Sequence, residues 1–234
     1  MKNINILVVD DQHLVRMGLV RMLNDMKGFA VIGEAESGEQ AIEEIAQLAK
    51  LDKMPQVVLM DLRMPGIGGL EATRKLTHRY PDIKVIAVTG CGETPFPQRF
   101  MECGAVGFIT KDSAIEEVAL AIQSVYRGKR YISQEVAQEM ALGTVNGKSD
   151  ASPFEQLSER ELQIALMVID GVKTSDIAES LSVSPKTVNT YRYRLFEKLN
   201  IKSNMELALL ASRHGLIDRN RIDRDLMESD ARKK

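Results

Sequence analysis

Five short apolar runs, INILVV (4–9), AVIGEA (30–35), VVLM (57–60), KVIAVT (84–89) and AVGFIT (105–110), alternate with amphipathic segments such as LVRMGLVRMLNDM (14–26) and GEQAIEEIAQLAK (38–50). Each run is rich in Val and Ile and nearly free of polar residues, as strands buried on both faces are. Strands and helices in alternation leave few solutions. The crossovers are right-handed, and the product is a parallel sheet with helices on both faces. Residues 1–128 therefore predict an α/β domain with a five-stranded parallel (βα)5 sheet. Ligands of such a sheet gather beyond the carboxyl ends of its strands.

The character then changes. SQEVAQEMAL (133–142) suits a short helix that bridges two domains, and GTVNGKSDASP (143–153) is small and polar, as a linker is. Residues 157–218 show only short helical patterns, so a second, all-α domain is expected after a linker over 129–156. RNRIDRDLMESDARKK (219–234) mixes charges without an apolar face and reads as a disordered tail. A chain of 234 residues, 44% hydrophobic, has length enough for two cores. No apolar run approaches the ~18–20 residues that span a bilayer. The opening MKNINILVVDD reads as a strand rather than a signal peptide. A cytoplasmic protein with no membrane partner is expected. Cys91 and Cys103 lack CxxC spacing and read as free thiols, and the scattered His13, His78 and His214 argue against zinc.

Four strand ends carry unusual residues. The first run ends in Asp10-Asp11, the third in Asp61 and the fourth in Thr89-Gly90, while the fifth leads to Lys111. If strands 1, 3, 4 and 5 are neighbours, these groups converge on one edge. Carboxylates packed together repel and raise at least one pKa unless a cation intervenes. An oxygen-only cluster suits Mg²⁺, which takes one or two carboxylates plus a phosphoryl oxygen. A carboxylate is also a nucleophile, and Lys111 with the Thr89 hydroxyl would offset the charge of an incoming phosphoryl group. The plainer alternatives are that Asp11 caps a helix and Asp61 opens a turn.

Each helix after the linker carries boundary signals. Ser158 and Glu161 form a capping box before the stripe Leu162, Ala165, Leu166 and Ile169, and Gly171 ends that helix. Thr174 is placed to cap a short helix bearing Ile177, Ala178 and Leu181. Ser184-Pro185 opens PKTVNTYRYRLFEKL. Ser203 and Glu206 make a second box before a helix running to Gly215. On the helix 185–199, Val188, Tyr191, Leu195 and Leu199 form one apolar stripe, with Asn189, Thr190, Tyr193, Arg194 and Glu197 opposite. Residues 186–202 hold five cations, Lys186, Arg192, Arg194, Lys198 and Lys202, against Glu197 alone. A short helix, a turn and a capped helix with a basic outer face make a helix-turn-helix whose second helix enters the major groove.

VVDD (8–11), MDLRMPGIGGLEA (60–72), VTG (88–90) and GFITKD (107–112) resemble the receiver domain of two-component response regulators. The resemblance implies that Asp61 is the phosphoacceptor and that Asp10, Asp11, Asp61 and the Arg63 backbone carbonyl form the Mg²⁺ site. It further implies that Thr89 and Lys111 contact the phosphoryl group and that Thr89 and Phe108 act in the switch. Phe108 replaces the commoner Tyr. Asp112 stands where many receivers have proline, so no cis peptide is expected there. LSERELQIALMVIDGVKTSDIAESLSVSPKTVNTYRYRLFEKLNI resembles the NarL/LuxR-type DNA-binding domain. This resemblance implies base contacts from Asn189, Thr190 and Tyr193, backbone contacts from Lys186, Thr187, Arg192, Arg194 and Lys198, and pairing through Leu207, Leu210 and Ala211. Within the family, TPFP (94–97) and SPKTVNTYRYRLFEKL resemble the GacA/UvrY/LetA branch.

The implied protein is no enzyme but a transcription factor. It is phosphorylated by a sensor histidine kinase, binds double-stranded promoter DNA as a homodimer, and has RNA polymerase as a further partner. The branch implies regulatory RNA genes among its targets. Two other readings stay open. An aspartyl-phosphate hydrolase would need DxD on the first strand, whereas Asp10 and Asp11 are adjacent. A protein-interaction module would use the basic helix to bind an acidic partner.

Overall fold

A computed structural model describes residues 3–64, 66–90, 97–138, 152–214 and 216. In chain order the first domain comprises β1 (Ile4–Val9), α1 (His13–Asp25), β2 (Phe29–Ala35), α2 (Gly38–Lys50), β3 (Val57–Asp61), α3 (Gly68–Arg79), β4 (Lys84–Thr89), α4 (Pro97–Glu102), β5 (Gly107–Thr110), α5 (Ile115–Tyr126) and β6 (Tyr131–Ile132). The sheet is parallel, in the order β2-β1-β3-β4-β5-β6. It has six strands where five were expected. The sixth is two residues long, too short to show any alternation, and exists by pairing Tyr131 with Gly107 and Ile132 with Phe108.

The apolar runs divide by parity. Ile6, Val8, Val57, Leu59, Ile86 and Val88 pack in a core shared with α1 and α5, while Leu7, Val9, Val58, Met60 and Val85 pack in one shared with α2 and α3. A strand that feeds two cores has no polar face, which explains the unbroken runs. A helical segment over 134–138 follows β6, and Val136 packs with Leu62, Leu70, Phe100 and Phe108. That segment therefore packs onto the α/β domain, and the remainder of the expected bridging helix, 139–142, lies outside the described residues.

The second domain opens with a 3-10 turn, Pro153–Gln156, then α6 (Glu159–Ile169), α7 (Thr174–Ser180), α8 (Pro185–Leu199) and α9 (Asn204–Arg213). Phe154 and Leu157 already belong to its core, with Leu162, Ala165, Ile177, Val188, Leu195 and Leu207. The Ser158–Glu161 capping box forms in full, and Gly171, at φ +76°, follows the C-cap of α6. Two capping expectations change. Lys173 is the N-cap of α7, without a side-chain bond, and the Thr174 hydroxyl accepts from Arg192 instead. At α9, Ser203 accepts from the Glu206 amide, but Glu206 reaches the Lys202 amide, so only half of a box is made. The expected end at Gly215, the linker before residue 152, Cys91, residues 94–96 of TPFP and the tail from 219 lie outside the described residues. Among the described residues, no helix is long and apolar enough to cross a membrane, and no peptide is cis.

Candidate functional site

Register brings the strand ends level. Val9 pairs with Met60, Asp61 with Val88, and Thr89 with Thr110. Asp10, Asp61, Thr89 and Lys111 thus leave neighbouring strands along one edge. Asp10, Asp11 and Asp61 each present a carboxylate oxygen, and those atoms lie within 4.8 Å of one another. Lys111 Nζ stands 2.8 Å from Asp61 Oδ2 and 2.9 Å from Asp10 Oδ2. Thr89 is buried beside them and donates to the Gly90 carbonyl at 3.3 Å. Phe108 is buried in the adjoining cluster, edge-on to Phe100.

Local chemistry fixes these positions. The Gln12 amide donates to Asp10 Oδ1 at 2.7 Å, and the Arg63 amide to Asp61 Oδ1 at 3.1 Å. The N-cap of α1 is Gln12, so capping does not account for Asp11. Asp61 does open a turn, yet its other oxygen faces Lys111, so the turn is only part of its role. Two glycines let the chain reverse behind it. Gly68 has φ +67°, and a Cβ on Gly69 would fall 2.0 Å from the Asp61 carbonyl oxygen. Arg16, which the sequence did not single out, donates from Nη1 to the Asp10 carbonyl at 2.5 Å and pairs with Glu34.

Burial pushes Asp61 from its ordinary value of 3.8 up to about 7, against the pull of Lys111, with the charge of Asp10 pushing the same way. Burial alone would lower Lys111, but Asp61 and Asp10 outweigh it and hold the ammonium above its usual range. One ammonium faces three carboxylates, and negative charge is left over. The donors are all hard oxygens, so the residues fit a hard divalent cation such as Mg²⁺.

The helix α8 forms a second candidate surface. Ser184 accepts from the Thr187 amide, and proline occupies the first helical position. Val188, Leu195 and Leu199 are buried and Tyr191 packs against the same core. Lys186, Asn189, Thr190, Tyr193 and Arg194 are exposed, with Tyr193 73% exposed. Thr190 Oγ1 donates back to the Lys186 carbonyl at 3.0 Å, so its hydroxyl is engaged within the helix. Two expected backbone contacts are otherwise engaged. Arg192 donates to Thr174 Oγ1 and Asn204 Oδ1, tying α8 to α7 and α9. Lys198 Nζ lies 2.6 Å from buried Glu161, a pairing that helps hold the Glu161 carboxyl below its usual range against the effect of burial. A helical wheel gives the direction of these cations but not their partners, which lie 18 and 37 residues away.

The pairing surface needs correction too. Leu207 and Ala211 are fully buried in their own domain and Leu210 is partly buried against the same core. Met205, 68% exposed, and Leu209, 53% exposed, carry the outward apolar surface of α9.

Residues 6–123 match the response regulator receiver domain, and residues 155–211 match the LuxR family of bacterial regulatory proteins. Response regulator GacA of Pseudomonas aeruginosa is 54% identical over 215 residues, 92% of this chain and 98% of that one. Response regulator UvrY of Escherichia coli is 52% identical over 213 residues, 91% of this chain and 95% of that one. A structure of RcsB from Salmonella enterica serovar Typhimurium, bound to a promoter in the presence of a phosphomimetic, shares the fold. Its TM-score is 0.68 at 20% identity, covering 91% of this chain and 100% of that one.

Proposed function

The chain belongs to the response regulators that join a receiver domain to a LuxR-type DNA-binding domain, DNA-binding regulators of transcription, and from that premise we propose how its switch is built. Asp61 is the phosphoacceptor. The observation that carries this is Lys111 Nζ set between Asp61 and Asp10, 2.8 and 2.9 Å away, at the end of a buried strand. An Asp61 oxygen attacks phosphorus in the phosphohistidine of a sensor kinase. The new O–P bond forms as the P–N bond breaks, and the electron pair leaves with the imidazole. Lys111 then follows the charge to the phosphoryl oxygens, and the Thr89 hydroxyl turns from Gly90 to donate to them. Asp11, Asp61 and the Arg63 carbonyl, with Asp10 beside them, would hold Mg²⁺, which when bound offsets the crowded negative charge. Phe108, buried on the neighbouring strand β5, carries the change at Thr89 onward.

On DNA, Asn189, Thr190 and Tyr193 meet base edges, and Lys186, Thr187 and Arg194 meet the backbone. Arg192 and Lys198 hold the domain together. Met205 and Leu209 provide the apolar contact of a homodimer on a two-fold site. The protein works in the cytoplasm on promoters that include those of regulatory RNAs. Its receiver part runs past the expected end at 128 through β6 and the segment 134–138, and its helical part begins with the 3-10 turn Pro153–Gln156.

Incubation with acetyl phosphate and Mg²⁺, read by intact mass, tests the assignment. One phosphoryl group is expected on the wild type and none on Asp61→Asn. Equal labelling of both would move the acceptor elsewhere.

A further inference from the structure

Arg16, near the start of α1, is buried, and its guanidinium is pinned on three sides. Nη1 donates to the Asp10 carbonyl at 2.5 Å, Nη2 lies 3.3 Å from His13 Nδ1, and Nε lies 3.4 Å from Glu34 Oε2. Those partners come from just past β1, from the first turn of α1 and from the end of β2. Glu34 is the carboxylate of the set, and its side chain is 46% exposed. An arginine buried chiefly against a neutral carbonyl recovers little of the cost of leaving water, and an apolar residue would pack as well. Stability is a poor reason for its presence.

The peptide it holds supplies a better one. The Asp10 carbonyl lies in the same planar unit as the Asp11 amide, so fixing the oxygen fixes the plane from which Asp11 departs. Successive side chains of an extended chain point to opposite faces. Asp10 and Asp11 nevertheless bring carboxylate oxygens within 4.8 Å of each other and of Asp61. The chain must therefore leave strand geometry at this peptide. Three bonds define the departure. The Asp10 amide donates to the Ala35 carbonyl at 3.1 Å, the Gln12 amide donates to Asp10 Oδ1 at 2.7 Å, and Arg16 holds the Asp10 carbonyl. The bond from the charged donor is the strong member of the three.

We propose that Arg16 is a positioning residue of the cation site. It holds the Asp10–Asp11 peptide in the orientation that turns both carboxylates toward the ion shared with Asp61, without itself touching that ion. Repulsion among the carboxylates would otherwise spread the loop, and a fork pinned in three directions resists that. A guanidinium also stays protonated, so its grip does not weaken as the carboxylates titrate. The proposal rests on the reading of Asp10, Asp11 and Asp61 as the Mg²⁺ site.

Calorimetric titration of the full chain with Mg²⁺ alone, beside thermal melts, is the test. Arg16→Met keeps the apolar stem and removes the donors, and its Kd for Mg²⁺ should rise about ten- to a hundredfold with circular dichroism unchanged. Arg16→Lys, one ammonium in place of the fork, should lose less. Glu34→Gln leaves the carbonyl bond in place and should stay near wild type. A purely structural Arg16 would instead lower the melting temperature and leave Mg²⁺ affinity intact. A wild-type Kd in whichever Arg16 variant folds overturns the proposal. So does a loss in Glu34→Gln as large as that in Arg16→Met, since the ion pair and not the carbonyl would then be decisive. Asp11→Asn tests the underlying reading and should lose affinity itself. Wild-type affinity there removes the cation site, whereas loss there beside unaffected Arg16 variants removes only the role of Arg16.

Discussion

The acidic pocket and the recognition helix are built on opposite plans. In the pocket, Asp10, Asp61 and Thr89 are buried, their polar atoms are matched at fixed distances, and the backbone behind Asp61 admits only glycine at residue 69. On α8, Asn189, Thr190, Tyr193 and Arg194 stand in water. Burial perturbs a carboxylate before any partner arrives, and it raises Asp61 against the pull of Lys111. Exposed side chains gain their energy only when DNA displaces water and counterions. A buried site is thus set in advance for one chemistry, whereas an exposed helix is held rigid from beneath and left free on top.

That division can be broken from beneath first. Leu195 is wholly buried under α8, and Leu195→Ala should cost about 2–5 kcal/mol. Two-domain melting should show the helical transition lowered and the receiver transition unmoved. If both fall together, the two regions do not fold as separate units.

The pocket offers the next test. Metal-free Asp61 titrates near 7 when folded against an ordinary 3.8, so between those values the folded chain holds an extra proton. Stability from this group is greatest on the acid side and is lost as pH rises through about 7. Asp61→Asn should flatten that slope in thermal melts. Mg²⁺ should raise the melting temperature of the wild type more than that of the variant on the alkaline side. An equal Mg²⁺ effect would place the cation elsewhere.

On the exposed side, Asn189→Ala should lose about 1–3 kcal/mol of discrimination between matched and mismatched duplexes. Uniform weakening of all duplexes would make Asn189 a backbone contact. Arg194→Ala should weaken binding to every duplex and reduce the salt slope by about one. Lys198→Ala should have the smallest effect on that slope, because its partner is Glu161. A slope change equal to that of Arg194→Ala would return Lys198 to the DNA surface.

Sequence showed the pocket better than it showed the interface. Strand ends are set by apolar runs whose termini are easily read, and parallel topology then decides which residues meet. Asp10, Asp61, Thr89 and Lys111 needed only that. The two-residue β6 carried no pattern of its own and appeared only through its neighbour. Thr174 had the right residue type for a cap, yet Arg192 claimed its hydroxyl. Leu207 and Ala211 were rightly read as apolar, but the face of a short amphipathic helix that turns inward is decided by the helices beneath it. Nothing local distinguished Arg16, whose partners, the Asp10 carbonyl and Glu34, meet it only once two strand ends lie side by side.

A duplex titration of one preparation, before and after acetyl phosphate with Mg²⁺, joins the two regions in a single reading. Wild type should bind promoter duplex more tightly after treatment, while Asp61→Asn should be indifferent to it. A response of equal size in both proteins, or none in either, would contradict control of the exposed helix by the buried carboxylate.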